Sequence, residues 1–333
     1  MKAKCLYLVV VGSALLAGFA LYSKAQDLVQ ISKDRRDLED SERRGGFTGS
    51  GVPSLAPLLG DYVNVGVRTP EGRTDIPRLL GLLKKMNAKD YMHLVWKEKR
   101  YPSAWQDFKL MAPEFQKRDI RLWLYLTPPS EGVPEPFGGD YARWAVECAK
   151  IAKQYPIVTG ICIDDFNGNV RTFTPAYCKK MMNEAHKIAP HLSLLVVCYF
   201  GYEKAIAPHV EAGAIDGVIF PYFYPHKNHS DTTKLLPQIK SYRQWLDKMT
   251  RAGTLSGKMP LVVMVYATKH SASPNHPTAA YVRKCLDIGL QATQDGLADG
   301  VVTYCLPKNR PEFVKQVSLA YKGWKPRKQN ESK

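Results

Sequence analysis

Two patterns of hydrophobic and polar residues alternate along the chain from residue 60 onward. Short runs that are apolar on both faces and rich in β-branched residues predict buried parallel strands, and the longer amphipathic stretches between them predict helices. Eight strands can be assigned in this way, at residues 62–67, 91–96, 121–126, 158–163, 192–199, 217–221, 260–266 and 300–305.

Helix start signals fit between these strands. Thr174, followed by a proline, and Thr278 are predicted helix N-caps, as is Asp231, and residues 310–322 supply the last helix. No glycine-rich GxGxxG turn follows the first strand, which disfavours an open doubly wound sheet. Eight βα units over about 265 residues predict the α/β class and a single-domain (β/α)8 TIM barrel.

The regions outside the barrel have a different composition. Lys2 and Lys4 precede an apolar run over residues 6–21, and Ser23 and Ala25 provide small residues for cleavage, so residues 1–25 are predicted to be a signal peptide. An uncleaved membrane anchor is the alternative. A charged and glycine-rich linker (26–58), the barrel (59–325) and a basic tail (326–333) follow. This organisation predicts a secreted or periplasmic protein.

The charge of the chain favours an anionic partner. The formal net charge is +16, and removal of Lys2, Lys4 and Lys24 with the signal leaves 44 basic and 31 acidic residues, or +13. Such a surface attracts acidic glycans, wall polymers or membrane surfaces. Nucleic acid is disfavoured because the basic residues are scattered along the chain, with no basic helix or known binding motif.

The six cysteines that follow the signal all fall within predicted strands and helices. Disulfide frameworks belong to the loops of small domains, so we expect buried free thiols. The sequence contains no CxxC, and no metal or other cofactor is predicted.

The carboxyl ends of barrel strands carry the active site in this fold, and two acids stand at the end of the fourth strand. Asp164 and Asp165 directly follow an apolar strand and precede Asn167. Two adjacent carboxylates at a poorly solvated rim repel each other, so one is expected to have a raised pKa and to hold a proton near neutrality. A proton held in this way is what a general acid requires.

Aromatic residues stand at six of the eight predicted strand ends. Aromatic faces pack against the C–H faces of sugar rings, and phenol hydroxyls can hydrogen-bond sugar hydroxyls, so this pattern favours a carbohydrate substrate. The candidate binding residues, together with Asn167, are Trp96, Tyr125, Tyr199, Tyr222, Tyr224, His226, Tyr266 and Tyr304.

The segment 159–167, TGICIDDFN, resembles the fourth-strand motif of barrel glycoside hydrolases of the O-GlcNAcase and bacterial hyaluronidase type. The layout of residues 91–129 is similar to the second and third βα units of that family. The resemblance implies substrate-assisted hydrolysis of an N-acetylhexosaminide. In that reaction Asp164 would orient the 2-acetamido group as internal nucleophile, and Asp165 would protonate the leaving oxygen.

Three alternatives remain open from the residues alone. One of the aspartates could act with a second rim carboxylate, for which Glu98, Glu131, Glu203 and Asp231 are the candidates. A metal-dependent hydrolase such as a deacetylase could combine the aspartates with imidazoles. A barrel that binds glycans without cleaving them is the third. The histidines considered for the metal site are His226, His229, His270 and His276.

Overall fold

The computed structural model describes residues 57–97, 99–101, 103–223, 229–252, 258–270 and 273–325. The predicted signal peptide, nearly all of the predicted linker and the predicted basic tail lie outside these residues. Within the described ranges, no helix combines the length and the hydrophobicity that crossing a bilayer requires.

Eight parallel strands close into a barrel in sequence order, and each strand is followed by a helix. This arrangement confirms the predicted (β/α)8 TIM barrel. The strands are β1 (Leu58–Tyr62), β2 (Asp90–Val95), β3 (Arg121–Leu126), β4 (Val158–Ile163), β5 (Ser193–Val197), β6 (Gly217–Tyr222), β7 (Leu261–Tyr266) and β8 (Gly300–Tyr304). The helices are α1 (Ile76–Met86), α2 (Ala104–Gln116), α3 (Tyr141–Gln154), α4 (Pro175–His186), α5 (Glu203–Glu211), α6 (Leu235–Ala252), α7 (Ala279–Gln294) and α8 (Pro311–Gly323).

The register of the strands follows the stagger that a closed eight-stranded barrel requires. Gly160 of β4 pairs with Ser193 of β5, whereas Gly217 of β6 pairs with Leu195, two residues further along. The same offset of two separates β6 from β8, where Gly300 pairs with Val262. An offset of two per pair of strands gives the shear of about 8 that characterises this fold. The three glycines therefore occupy equivalent levels of the barrel.

Side chains alternate between the inside of the barrel and the helix layer, as the pleat of a strand dictates. Met92, Cys162, Ile219 and Val302, from the four even-numbered strands, pack together inside. One pleat higher along three of these strands lie Asp164, which follows β4, Pro221, the penultimate residue of β6, and Tyr304, the last residue of β8. This layer forms the bottom of the candidate site.

The first strand lies earlier in the chain than the apolar pattern predicts. It spans Leu58–Tyr62 rather than 62–67, so Leu58, which was assigned to the linker, belongs to the barrel. The pattern was misleading because β1 contains a fully buried acid, Asp61, whose charge is paired with the Lys308 ammonium at 2.6 Å. The strand also ends early, since Val63 has a φ of 59° and turns the chain.

Two of the three predicted N-caps are confirmed. The Thr174 hydroxyl accepts from Tyr177 N at the start of α4, and the Thr278 hydroxyl accepts from Tyr281 N at the start of α7. The prediction for Asp231 is wrong, because its carboxylate accepts from Thr233 N within a turn that precedes α6.

The six cysteines of the barrel are free thiols. Five are buried, and burial raises their pKa values. Cys305 differs from the expectation because it is partly exposed and directly follows β8, where its φ of 51° lies in the left-handed region.

Candidate active site

The chain turns sharply at the two adjacent aspartates. Asp164 follows Ile163, the last residue of β4, and Asp165 has a φ of 37°, in the left-handed region. Aspartate tolerates this region better than most other side chains because it is short and can hydrogen-bond locally. A short 3-10 helix, Phe166–Gly168, follows. The turn separates the two carboxyl groups, so that Asp164 stays largely buried while Asp165 reaches a cavity.

Asp164 lies inside the barrel and is only 7% exposed. Its Oδ1 accepts from the Tyr125 hydroxyl at 2.9 Å and from the backbone N–H of Asp165 at 3.0 Å. Burial raises its pKa well above the usual value, and the charges of Asp165 and Glu131 raise it further. The two hydrogen bonds oppose this rise in pKa, because both donors favour the charged form, and they fix the orientation of the carboxyl group beneath the turn.

A cavity of about 620 Å³ opens at the carboxyl ends of β4, β5 and β6. Its volume falls within the range of about 300–1,000 Å³ that is typical of sites for small molecules. The lining residues come from the loops that follow the strands, from α6 and from the end of β6. They are Ser130, Asp165, Asn167, Gly168, Asn169, Tyr199, Phe200, Tyr202, Pro221, Phe223, Gln238 and His270.

A third carboxyl group, that of Glu131, contacts Asp165. Glu131 ends a short 3-10 helix, Pro129–Glu131, in the loop after β3. Burial raises the pKa of Glu131 to about 7, and the charge of Asp165 and a hydrogen bond between the two carboxyl groups contribute to this shift. Two carboxylates in contact resist double ionisation, so Glu131 keeps its proton up to about neutral pH. The Tyr199 hydroxyl is also within hydrogen-bonding reach of Asp165.

Asn169 joins the two turns that carry these acids. Its Nδ2 donates to Ser130 Oγ and to the backbone carbonyl of Asp165, both at 2.9 Å, and its Oδ1 accepts from Ser130 N at 3.3 Å. Trp96 holds the same loop from the other side, because its Nε1 donates to the Glu131 carbonyl at 3.0 Å. The contact between Glu131 and Asp165 therefore depends on hydrogen bonds outside the acids themselves.

We expect Asn169→Ala to lower kcat by about 10- to 100-fold with little change in KM, because displacing reactive groups by about 1 Å is enough for such a loss. The measurement is steady-state turnover, in the same assay as the wild type. Asn183→Ala on the exposed face of α4 is the matched control. A loss shared equally by both variants, or one confined to KM, would contradict this role for Asn169.

The structure gathers most of the predicted aromatic residues around the barrel axis. Tyr199 lines the cavity, and its hydroxyl lies 3.3 Å from that of Tyr266. Tyr304 packs against Tyr266, with ring centroids 4.6 Å apart, and Tyr62 packs against both Tyr304 and Tyr125. The charge of Asp164 acts on each of these tyrosines, so the rings lie around it. Asn167 lines the cavity, and its Oδ1 accepts from Tyr199 N.

Tyr222 does not belong to this site. It is 1% exposed and packs in the layer between strands and helices, where its hydroxyl donates to the Asp231 carbonyl at 2.9 Å. The neighbouring Pro221 lines the cavity instead. Neighbouring residues of a strand face opposite sides, so both could not face the cavity. Tyr224 and His226, the other candidates near this strand, lie outside the described residues.

The histidines considered for a metal site form a different kind of cluster. His229 is buried, its Nε2 accepts from His270 N at 3.3 Å, and its ring contacts Phe223 and Tyr266. Burial lowers the pKa of His229 to about 4. Across the ranges that the structure describes, no group of three or more histidine, cysteine, aspartate or glutamate side chains is placed to hold a metal ion.

Sequence reasoning identified the aspartate pair but not what surrounds it. Glu131 was one of four candidate loop acids, and nothing in the sequence singled it out. Of the other three, Glu203 accepts from Gly201 N, Asp231 accepts from Thr233 N, and Glu98 lies outside the described residues. Asn169 and Gln238 were missed. The only signal for Asn169 was its place two residues after Asn167, in the loop of the acids.

The sequence matches no family model and no curated protein. Solved structures with the same fold are numerous. They include an alpha-L-arabinofuranosidase from Thermotoga maritima (TM-score 0.55, 11% identity, covering 81% of this chain and 71% of that one). A GH5_18 protein from Streptomyces cattleya, in complex with Manb1-4GlcNAc, has a TM-score of 0.53 and 12% identity over 78% of this chain and 77% of its own. A GH53 catalytic domain from Ignisphaera aggregans has a TM-score of 0.50 and 11% identity over 76% and 86%. At such identities the likeness shows the fold alone.

Proposed function

We propose that the protein is a glycoside hydrolase in which Asp165 is the general acid. The observation that carries this proposal is the contact between the carboxyl groups of Asp165 and Glu131, with Asp165 on the wall of a cavity of sugar size. The aromatic rings beside it suit a carbohydrate, and the structural neighbours named above include glycosidases. Low identity limits that likeness to the fold, so the argument for activity rests on the site.

The spacing of the acids favours one mechanism over others. An inverting pair stands about 6.5–9.5 Å apart to admit water, and a retaining pair about 5–5.5 Å apart. Asp165 and Glu131 share a hydrogen bond, which is closer than either arrangement. They therefore act together as one acid rather than as an acid and a separate nucleophile or base. The nucleophile then has to come from elsewhere, and the substrate can supply it.

We propose accordingly that the substrate is an N-acetylhexosaminide. The oxygen of the 2-acetamido group attacks the anomeric carbon as the glycosidic C–O bond breaks, and Asp165 transfers its proton to the leaving oxygen. Glu131 and Asp165 together then carry one more negative charge. Water, deprotonated by Asp165, opens the cyclic intermediate and restores the proton. The resemblance of residues 159–167 to O-GlcNAcase-type enzymes supports this route, with Asp164 directing the acetamido group.

A panel of chromogenic glycosides tests this proposal. We expect turnover of N-acetyl-β-glucosaminides or N-acetyl-β-galactosaminides and none of the matching glucosides and galactosides, because only the former carry the internal nucleophile. Equal cleavage of glycosides with and without the acetamido group would contradict substrate assistance. The protein would still be a glycoside hydrolase in that case. If the protein bound sugars but turned over no substrate at any pH, we would conclude that the barrel binds glycans without cleaving them.

Export and an anionic glycan partner complete the proposal. The features that support them are the signal-like residues 1–25 and the net charge of +13 after their removal.

A further inference from the structure

One polar group in the wall of the cavity lacks a hydrogen-bond partner. Gln238, in the first turns of α6, is only 4% exposed, and its side-chain Oε1 has no partner among the described residues. The backbone N–H of the same residue is satisfied by the Lys234 carbonyl. Buried carbonyl oxygens are almost always paired in folded proteins, so this one calls for an explanation.

No described side chain of the cavity donates a hydrogen bond to Gln238 Oε1. Three of the residues that line the cavity with Gln238, namely Phe200, Pro221 and Phe223, have no side-chain donor. The residue lines the same cavity as Asp165. A ligand that enters the cavity can therefore meet the Gln238 amide without displacing a protein hydrogen bond.

We infer that Gln238 is a specificity-determining residue whose carbonyl oxygen accepts a hydrogen bond from a hydroxyl or acetamido N–H of the bound sugar. This inference rests on the proposed function and deepens it. A site with a buried acceptor discriminates strongly against a ligand that lacks the matching donor, because the acceptor then stays unpaired. A neutral donor fits this position, whereas an anionic group facing Oε1 does not.

The test replaces Gln238 by methionine, which has a similar shape and no hydrogen-bonding group. N-acetylglucosamine and galactose are titrated calorimetrically into the wild type and into Gln238→Met; neither sugar contains a glycosidic bond, so no turnover disturbs the measurement. We expect about tenfold or greater loss of affinity for the sugar that binds, with an unchanged or higher Tm. The Tm rises or holds because an unpaired buried acceptor is removed.

The outcomes separate this inference from the proposed function. An affinity within twofold of that of the protein without the Gln238 substitution would overturn the role of Gln238 and leave the proposed function standing. A loss of affinity accompanied by a Tm lowered by several degrees would also overturn it, because it indicates a structural role. If neither sugar binds and the wild type hydrolyses no glycoside, the proposed function fails, and this inference fails with it. Gln154→Met, at the exposed end of α3, is the matched control.

Discussion

Asp165→Asn is expected to lower kcat for an N-acetylhexosaminyl disaccharide by about 10²- to 10⁴-fold, which is the usual contribution of a general acid. Asparagine keeps the size of the side chain and tolerates the left-handed backbone at this position, so the turn is preserved. It cannot transfer a proton. Steady-state kinetics and calorimetric binding of the product sugar measure the two consequences, and we expect binding to survive.

A control for the backbone is available elsewhere in the chain. Asp119 also has a positive φ, of 52°, and lies exposed between α2 and β3. Asp119→Asn makes the same chemical change in the same conformation, far from the cavity, and should leave kcat unchanged. Equal turnover by Asp165→Asn and the wild type would eliminate Asp165 as the acid.

Glu131→Gln is expected to move the alkaline limb of the pH profile to lower pH by about 1 unit or more. In the wild type, burial and the contact with Asp165 raise the pKa of Glu131 to about 7, so its proton is present below that pH and lost above it. Activity should therefore fall as the pH rises through about 7. Glutamine removes the carboxyl group whose pKa is raised, so the alkaline limb that this group sets near pH 7 should move to lower pH.

At neutral pH this shift lowers kcat/KM by about tenfold or more. At acidic pH the activity of the variant should be partly recovered. The profile of kcat/KM between pH 4 and 9 measures it. Glu184→Gln, an exposed partner of Lys187 on α4, serves as the control and should leave the limb in place. A limb that stays near pH 7 in Glu131→Gln would show that Glu131 does not hold the proton.

Most of the barrel could be predicted from the sequence because its strands are mainly apolar. The bounds predicted for β3 and β4 agree with the structure to the residue, since five of the six positions in each of these strands are buried. β1 could not be placed in the same way. Its buried Asp61 looks like a surface residue until the partner, Lys308, is brought to it from the far end of the chain.

The residues of the cavity could be predicted where they depend on strand geometry and not where they depend on loop packing. Asp165, Asn167 and Tyr199 follow from their places at strand ends and line the cavity, whereas Tyr266 and Tyr304 pack around the barrel axis without lining it. The contact between Glu131 and Asp165 depends on how two loops meet, 34 positions apart in sequence. The orientation of Gln238 is set by the packing of α6, which no local pattern reports.

The leaving-group dependence of the Asp165→Asn loss tests the central claim most directly. Protonation by an acid matters little when the leaving group is a good one, such as nitrophenol, and greatly when it is an alkyl alcohol. If Asp165 is the general acid, Asp165→Asn should lower kcat only slightly on a nitrophenyl N-acetylhexosaminide and much more on the matching alkyl glycoside. Equal losses on the two substrates, or hydrolysis of neither by the wild type, would contradict it.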